Sequence, residues 1–205
     1  MSDDQRTPEW YEQRLGKFTS SAISQLMGIK GLGKTGETYA FTRAVEMFVG
    51  SDDEDSYVSY DMMRGIELEP LAFKKLSDLL AEDFIKLSSC GFIKLNENTG
   101  GSPDGLYDDY GIVDIKCPKP DKFFRIVIDN VIDQDYIDQL QHQMWISGRR
   151  EAISFQYCIF NGIEYWHKIV IPRDQVRIDL MKVRIDEAVI IRDNFLIQLK
   201  EKKQW

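Results

Sequence analysis

The sequence GSPDGLYDDYGIVDIKCP, from Gly101 to Pro118, combines a hairpin pattern with clustered charge. Asp104 lies in a tight SPDG corner that opens one short strand, and the next strand carries Asp114 and Lys116 two residues apart. Side chains alternate along a strand, so Asp114 and Lys116 project from the same face. A hairpin through Asp108–Gly111 would place Asp104 beside Asp114. The stretch therefore predicts two carboxylates and one ammonium group converging at one end of a sheet.

This combination of charges suits hydrolysis of a phosphodiester by bound magnesium. Mg²⁺ prefers oxygen ligands in an octahedral shell and keeps several waters. Bound ions polarise the phosphate and lower the pKa of the attacking water. We expect Lys116 to position or deprotonate that water, with its own pKa lowered by desolvation and by positive neighbours. Because a D-x-K triplet is common, a surface hairpin with scattered charges remains the alternative from these three residues alone.

Two further features, one on each of two predicted helices, favour a site over a surface hairpin. Glu69 lies beside apolar residues on a predicted helix before the sheet, where an inward carboxylate needs a partner. The helical stretch YIDQLQHQMWISG places Gln139 and Gln143 one turn apart on one face. Buried amides are costly unless they bind phosphate, water or a carboxylate. Exposed positions on their helices are the alternative for all three side chains.

The rest of the chain predicts a layered α/β domain with a mixed sheet. Helical periodicity covers residues 7–28, Glu37–Gly50 and about 65–82, followed by short strand patterns from residue 83 to 117. Further helices are expected at about 119–128 and 134–147. A hairpin across Asn161–Gly162 joins strands at 152–160 and 163–171, and a long amphipathic helix follows Pro172. Its apolar set includes six residues: Val176, Leu180, Val183, Ala188, Ile191 and Phe195.

Composition excludes several other classes of protein. The 205 residues carry a net charge of −8, which weighs mildly against nucleic acid as a partner but says nothing about how the charge is distributed. Three cysteines without a CxxC pair argue against zinc or iron–sulfur sites and fit a reducing cytoplasm. His142 and His167, the two histidines, are expected to be packing or surface residues. The polar N-terminus is not a signal peptide, and no apolar run is long enough to span a membrane.

A second pattern, G-x-x-x-x-G-K-T from Gly28 to Thr35, matches the phosphate-binding loop of nucleotide hydrolases. Such a loop follows a buried strand and leads directly into a helix. Here the preceding SSAISQLMG indicates a helix, and Gly36 weakens a helix start after Thr35. We therefore predict a Gly/Lys loop from Gly28 to Gly36, in which Lys30 and Lys34 contact a DNA backbone. An acidic loop is predicted over Ser51–Ser56.

The order of these motifs resembles that of PD-(D/E)xK nucleases. Within that superfamily the chain is similar to the lambda exonuclease/YqaJ viral-recombinase family, which shows SPDG, then [ED]-x-K-C-P, then a glutamine-rich helix ending in Met-Trp. The N-terminal pattern W-x-x-x-R-x-G-x-x-T-x-S also matches that family. The lambda enzyme has glutamate at the position of Asp114, and either carboxylate ligates magnesium. The matching residues run from 10 to 145, and the N-terminal pattern is formed by Trp10, Arg14, Gly16, Thr19 and Ser21.

The resemblance implies a single restriction-endonuclease-like domain over residues 1–205, with its catalytic core at about 60–171. It has a central mixed β-sheet flanked by helices, N-terminal helices and a long C-terminal helix. Two Mg²⁺ ions, replaceable by Mn²⁺, would be held by four groups: Glu69, Asp104, Asp114 and the Ile115 carbonyl. Lys116 would activate the water and Gln139 would support the site. Arg14, with the hydroxyls of Thr19 and Ser21, would bind the 5′-phosphate of the digested strand.

The activity implied is 5′→3′ digestion of one strand of duplex DNA from phosphorylated ends, for recombination. The resemblance also implies a homotrimeric ring, which would confine positive charge to its channel, and an annealing recombinase as partner. One alternative is a structure- or sequence-specific endonuclease of the same fold, which would not need the Arg14 phosphate site. Another is a nucleotide-switch or DNA-end-binding module without nuclease chemistry, supported by the Gly28–Thr35 pattern.

Overall fold

The computed structural model describes residues 7–50 and 60–202. Its N-terminal part contains α1 (Pro8–Arg14), β1 (Phe18–Thr19), a 3-10 helix (Ser20–Leu26) and α2 (Gly33–Val49). Helix α3 (Tyr60–Glu82) leads into short strands: β2 (Leu87–Ser89), β3 (Ile93–Lys94), β4 (Thr99–Gly101), β5 (Gly105–Tyr107) and β6 (Gly111–Lys116). The C-terminal part contains α4 (Pro120–Asp129), α5 (Gln134–Ser147), β7 (Glu151–Phe160), β8 (Ile163–Pro172) and α6 (Gln175–Glu201).

The main sheet is mixed, as predicted, and has the strand order β2-β5-β6-β7-β8. Strands β6 and β7 are parallel, whereas the other neighbours are antiparallel. A parallel pair needs a long crossover, and helices α4 and α5 supply it between β6 and β7. A smaller sheet has the order β1-β4-β3, with β1 and β4 parallel.

Strand β6 is the centre of the domain because both of its faces are covered. Val113 and Ile115 pack in a cluster with residues of α3, while Ile112 packs with residues of α5 on the opposite face. Asp114 and Lys116 follow Ile112 on the α5 face, as side-chain alternation requires. The position of a carboxylate on this strand is therefore fixed by the core packing on both sides of it.

A second core joins the N-terminal segment to the C-terminal helix. It contains Phe18 and Ile23 from the N-terminal part together with Met181 and Ile185 from α6. Buried Arg192 of α6 donates hydrogen bonds to the Gly16 carbonyl and to Asn98. The 3-10 helix packs against α5, α2 and α6, and against β1 and β4 of the smaller sheet. No helix within the described part of the chain is long and apolar enough to cross a membrane.

The predicted Gly/Lys loop from Gly28 to Gly36 is shorter than expected, because α2 begins at Gly33 rather than at Glu37. A side chain at Gly36 would place its Cβ 2.9 Å from the Leu32 Cβ, so close packing within the first turn requires glycine there. The predicted helix end at Gly50 is confirmed, with a positive φ at that residue. The acidic loop predicted over Ser51–Ser56 lies outside the described residues.

The long helix predicted after Pro172 is present as α6, but most of the apolar set named for it does not enter the core. Val176, Leu180 and Val183 are exposed, Ile191 and Phe195 are only partly buried, and Ala188 alone of the predicted set is fully buried. The residues that enter the core are Ile178, Met181, Ile185, Ala188, Arg192 and Leu196. Helix α6 carries apolar residues on two opposite faces, and periodicity alone does not indicate which of them is covered.

Candidate active site

The predicted hairpin brings Asp104 against the end of β6. The backbone N–H of Asp104 donates to the Val113 carbonyl at 3.0 Å, and the Ile115 N–H donates to Asp104 Oδ2 at 2.6 Å. The β5–β6 ladder begins at the pair Gly105–Val113, so Asp104 stands just before the first paired residue of β5. The Asp104 carboxylate thus accepts the hydrogen bond of the Ile115 N–H, in place of a backbone carbonyl of a neighbouring strand.

Asp114 is held by three side chains. Lys116 Nζ lies 2.7 Å from its Oδ2, and Gln139 Nε2 donates to its Oδ1 at 2.6 Å. Gln143, one helical turn further along α5, donates to the same Oδ1 at 3.4 Å. The Asp114 side chain is 2% exposed, so these contacts replace water around a buried carboxylate. Four predicted site residues therefore meet in one cluster: Asp104, Asp114, Lys116 and Gln139.

The charges in this cluster perturb one another. Burial and the neighbouring Asp114 carboxylate raise the pKa of Asp104 to about 7, against the opposing effects of Lys116 and the Ile115 N–H. Burial favours a lower pKa for Lys116, but the carboxylates of Asp114 and Asp104 outweigh it, so the pKa of Lys116 is raised. The expected lowering of the Lys116 pKa depends on positive ions beside the lysine, so it stays a prediction; in the chain alone, acidic groups surround the ammonium.

Glu69 lies on α3 at the border of a cleft of about 630 Å³ that adjoins the cluster. Pro70 follows directly and interrupts the hydrogen-bond ladder of the helix at this point. Glu69 also acts electrostatically on Asp104, contributing to its raised pKa. The predicted inward carboxylate is therefore partly buried and faces the site. The other residues lining the cleft include Arg64, Lys116, Lys119, Lys122, Tyr136 and Gln156.

The donor set fits magnesium, although no three Asp, Glu, His or Cys side chains in residues 7–50 and 60–202 form a ready group for an ion. Mg²⁺ typically uses one or two carboxylates, with waters and substrate phosphates completing its shell. Asp104 and Asp114 are the two adjacent carboxylates. Within a strand, the N–H and C=O of one residue point to the same side, so the Ile115 carbonyl shares the edge at which its N–H meets Asp104. Gln143 Oε1 is buried without a hydrogen-bond partner, as an acceptor for a bound water would be.

The predicted phosphate-binding segment is tied to the loop that precedes Asp104. Trp10 Nε1 donates to Ser102 Oγ at 2.8 Å, which joins α1 to the SPDG corner. The guanidinium of Arg14 lies over the Trp10 ring at 4.1 Å from its centroid. Arg14 thus stacks on the Trp10 ring, and Trp10 is hydrogen-bonded to Ser102, two residues before Asp104.

The predicted hydroxyls of this segment differ in their surroundings. Ser21 is exposed, whereas Thr19 is 1% exposed and its N–H donates to Tyr39 Oη. A side chain so buried does not present its hydroxyl on the surface, so direct contact of Thr19 with a phosphate does not fit this conformation. The intervening Ser20 bonds His142 Nδ1 at 2.8 Å. His142 is 0% exposed, which agrees with the expected packing role.

Lys30 and Lys34 are exposed, and they are not part of the acidic cluster. Lys30 lines a shallow hollow of about 350 Å³ formed by the loop before α2, and Lys34 lies in the first turn of α2. A 3-10 helix precedes Gly28, as the sequence indicated, where a phosphate-binding loop would follow a strand. The Gly28–Thr35 pattern therefore lacks the structural context of a nucleotide site.

Three residues of the site were not predicted by sequence reasoning. Ser102 receives the Trp10 bond, and Ser154 and Gln156 lie on β7 beside Asp114 and Lys116. A glutamine inside the apolar strand sequence EAISFQYCIF is the one sequence signal that could have indicated Gln156. Ser102 has no such signal, because its partner is 92 residues away.

Comparison with known proteins relates this geometry to a family. The YqaJ-like viral recombinase domain matches residues 9–150. An alkaline exonuclease from Laribacter hongkongensis is 26% identical, with a TM-score of 0.83 over 96% of this chain and 97% of that one. The same enzyme in complex with dAMP is 25% identical with a TM-score of 0.82, again covering 96% and 97% of the two chains.

A phage-related exonuclease from Haemophilus somnus 129PT shares the fold, with 18% identity and a TM-score of 0.73 over 89% of this chain and 96% of that one. None of the curated proteins compared matches the sequence significantly. The family domain covers more than half of the chain and includes every residue of the acidic cluster. This protein belongs to the YqaJ-like viral recombinase family.

Proposed function

We propose that this protein is a magnesium-dependent exonuclease that digests one strand of linear duplex DNA from a phosphorylated 5′ end. The observation that carries the proposal is the convergence of Asp104, Asp114, Lys116 and Gln139 at one sheet edge. The family and the likeness to alkaline exonucleases support a nuclease role. The related enzyme crystallised with dAMP supports a deoxynucleoside monophosphate as the product.

In this proposal each side chain has a separate task. Gln139 fixes Oδ1 of Asp114, so that this carboxylate keeps its orientation. Asp104 has a pKa of about 7 and must lose its proton to act as a ligand at neutral pH. Lys116, with its raised pKa, is a cation that can orient the attacking water and offset charge on the phosphate. Magnesium, bound by Asp104, Asp114 and the Ile115 carbonyl with Glu69 across the cleft, would polarise the phosphate and lower the pKa of the water.

The reaction is a hydrolysis in which water oxygen bonds to phosphorus and the P–O3′ bond breaks. The terminal nucleotide then leaves with a 3′-hydroxyl and its own 5′-phosphate, and the remaining strand gains a new 5′-phosphate. Arg14 would bind the terminal 5′-phosphate through a bidentate guanidinium contact, with Ser21 as an exposed hydroxyl donor nearby. This phosphate site is what would set the 5′→3′ direction.

Partners follow from the family and are part of the same proposal. Duplex DNA ends would be the substrate, and Lys30 and Lys34 would contact the DNA backbone as exposed point charges. A homotrimeric ring would surround the DNA, and a single-strand annealing recombinase would receive the 3′ tails. The protein would act in the cytoplasm of a bacterial host.

The deciding experiment compares four DNA substrates in magnesium and in EDTA. Linear duplex with 5′-phosphate is expected to be digested to mononucleotides in magnesium, linear duplex with 5′-hydroxyl ends more slowly, and covalently closed circles not at all. Nicking or cutting of closed circles would contradict the proposal and favour an endonuclease. A linear duplex with phosphorothioate linkages at both 5′ ends is the matched substrate control, and it should resist digestion.

Lys116→Ala is the matched enzyme control, because it removes the ammonium and leaves both carboxylates. Cleavage should be lost, while binding of the labelled linear duplex, followed by fluorescence anisotropy in EDTA, should change little. Full activity in this variant would remove Lys116 from the mechanism.

A further inference from the structure

Gln156 is a buried polar residue whose hydrogen bonding is incomplete. Its side chain is 0% exposed, its Nε2 donates to Ser154 Oγ at 2.8 Å, and its Oε1 has no partner. One polar atom of Gln156 is therefore buried without a hydrogen-bond partner, at a cost that a native core normally avoids.

The unsatisfied amide lies beside the ammonium of the candidate active site. In the parallel register of β6 and β7, Gln156 is the direct partner of Lys116, and Ser154 is the partner of Asp114. Paired residues in a sheet project from the same face, so these four side chains form one polar group on the α5 side. Gln156 also lines the 630 Å³ cleft together with Lys116.

The Lys116 ammonium has more N–H donors than its bond to Asp114 uses. It carries three N–H groups, and it is bound to Asp114 Oδ2 at 2.7 Å and lies 5.3 Å from the Tyr136 ring centroid. If Asp114 gives Oδ2 to a cation, as the proposed function requires, this bond of Lys116 is weakened. The neighbour of Gln156 on its other side, His167, already bonds Asn130 at 2.9 Å and is a poorer candidate donor.

We infer that Gln156 is a positioning residue that accepts a hydrogen bond from Lys116 in the working enzyme and holds its ammonium over the cleft. The inference rests on the proposed function. In this arrangement Asp114 and Gln156 are alternative acceptors on either side of one lysine. This role explains the buried Gln156 oxygen that lacks a partner. It accepts a hydrogen bond from Lys116 when Asp114 binds a cation.

The test replaces the amide with a side chain of similar size that cannot accept a strong hydrogen bond. Gln156→Met is expected to lower kcat on linear 5′-phosphorylated duplex at least about tenfold, with KM changed less than about twofold. Its melting temperature in EDTA should equal or exceed that of the wild type, because an unsatisfied buried amide has been removed. A role in folding alone would instead lower the melting temperature.

Two further variants make the result specific. Gln156→Glu keeps an acceptor beside Lys116 and should restore kcat to within about threefold of the wild type. Gln198→Met, the matched control on the exposed side of α6, should leave kcat unchanged. A Gln156→Met enzyme with wild-type kcat, a rise in KM alone, or a Gln156→Glu enzyme as slow as the Met variant would each overturn the inference. Failure of the wild-type protein to digest linear duplex would instead contradict the proposed function.

Discussion

Gln139 Nε2 lies 2.6 Å from Oδ1 of Asp114, so a side chain of helix α5 fixes the carboxylate at the centre of strand β6. This contact joins the crossover helix to the strand that precedes it. Gln143 reaches the same oxygen at 3.4 Å, which leaves Oδ2 as the oxygen directed at Lys116. The two amides thus decide which oxygen of Asp114 faces the site.

Gln139→Leu should therefore raise the magnesium concentration that cleavage requires, without weakening the binding of DNA. Outer hydrogen bonds to a metal ligand are typically worth about 10–100-fold in metal affinity or activity. We expect the magnesium concentration for half-maximal cleavage to rise about tenfold or more, since Asp114 loses its shortest hydrogen bond. Activity is measured as a function of magnesium at saturating DNA. Gln198→Leu on the exposed side of α6 is the control, and an unchanged magnesium requirement in Gln139→Leu would contradict the role.

Arg14→Ala should remove the preference for phosphorylated ends. Arg14 is supported by the Trp10 ring, and Trp10 is bonded to Ser102, the first residue of the SPDG corner. A lost charge-assisted contact is worth roughly 1.5–3 kcal/mol, or about 10–150-fold in KM for the phosphorylated duplex. Digestion of the matched 5′-hydroxyl duplex by the same variant should be unchanged, which serves as an internal control. Trp10→Phe, which keeps the ring but loses the 2.8 Å bond, should give a smaller effect.

Sequence reasoning located the acidic cluster because its geometry is local. Alternation along β6 and the turn before it are properties of residues close in sequence, so Asp104, Asp114 and Lys116 could be placed together from the pattern alone. Gln139 followed from helical spacing and from the resemblance to a known family. The main sheet was predictable for the same reason, since the hairpin across Asn161–Gly162 and the crossover helices have strong local patterns.

What the sequence did not predict depends on contacts between distant segments. Strand β1 has only two residues and forms because Phe18 and Thr19 pair with β4, some 80 positions away. The burial of Thr19 under Tyr39 arises in the same way, and the TSS sequence does not indicate which hydroxyl faces solvent. The direction of the Lys116 pKa depends on how many carboxylates finally surround it, which only the folded arrangement determines.

Arg177 on α6 and Asp138 on α5 form a bidentate ion pair, with distances of 2.7 and 2.6 Å, next to Gln139 in sequence. Asp138 is 1% exposed, so Arg177→Met would leave a buried carboxylate with Gln134 as its remaining side-chain donor. We expect the free energy of unfolding to fall by about 3 kcal/mol, the lower end of the range for a broken buried pair. Urea denaturation of the single variants and of Asp138→Leu/Arg177→Met measures this. The double variant should recover most of the loss, and simple additivity of the two single losses would argue against a coupled pair.

His142 connects α5 to the 3-10 helix through Ser20 and to β4 through Thr99. Thr99 Oγ1 donates its proton to the Phe18 carbonyl at 2.7 Å, so it can only accept from His142 Nε2 at 2.9 Å. His142 Nδ1 is then the acceptor for the Ser20 hydroxyl, and the ring is neutral with its proton on Nε2. Burial lowers the pKa of this ring from 6.5 to about 3.

The sign of the pH effect follows from these values. Below a pH of 6.5 the unfolded chain binds a proton at His142 that the folded chain does not bind, so folding is opposed increasingly until the folded ring is protonated near pH 3. The neutral His142 ring makes its full contribution to the free energy of unfolding above about pH 6.5. Below that pH the contribution decreases by up to about 1.4 kcal/mol per pH unit. Asp104, with its pKa raised to about 7, acts in the opposite direction, since its contribution grows as the pH falls.

Comparison with His142→Gln separates the two effects, because Asp104 is the same in both proteins. We expect urea midpoints in EDTA to fall more steeply for the wild type than for His142→Gln between pH 7 and about pH 4. His167→Gln, which alters a histidine bonded to Asn130 near the surface, should follow the wild type. Equal slopes for the wild type and His142→Gln would mean that His142 takes up its proton in the folded chain, and the neutral bridge between Ser20 and Thr99 would then be wrong.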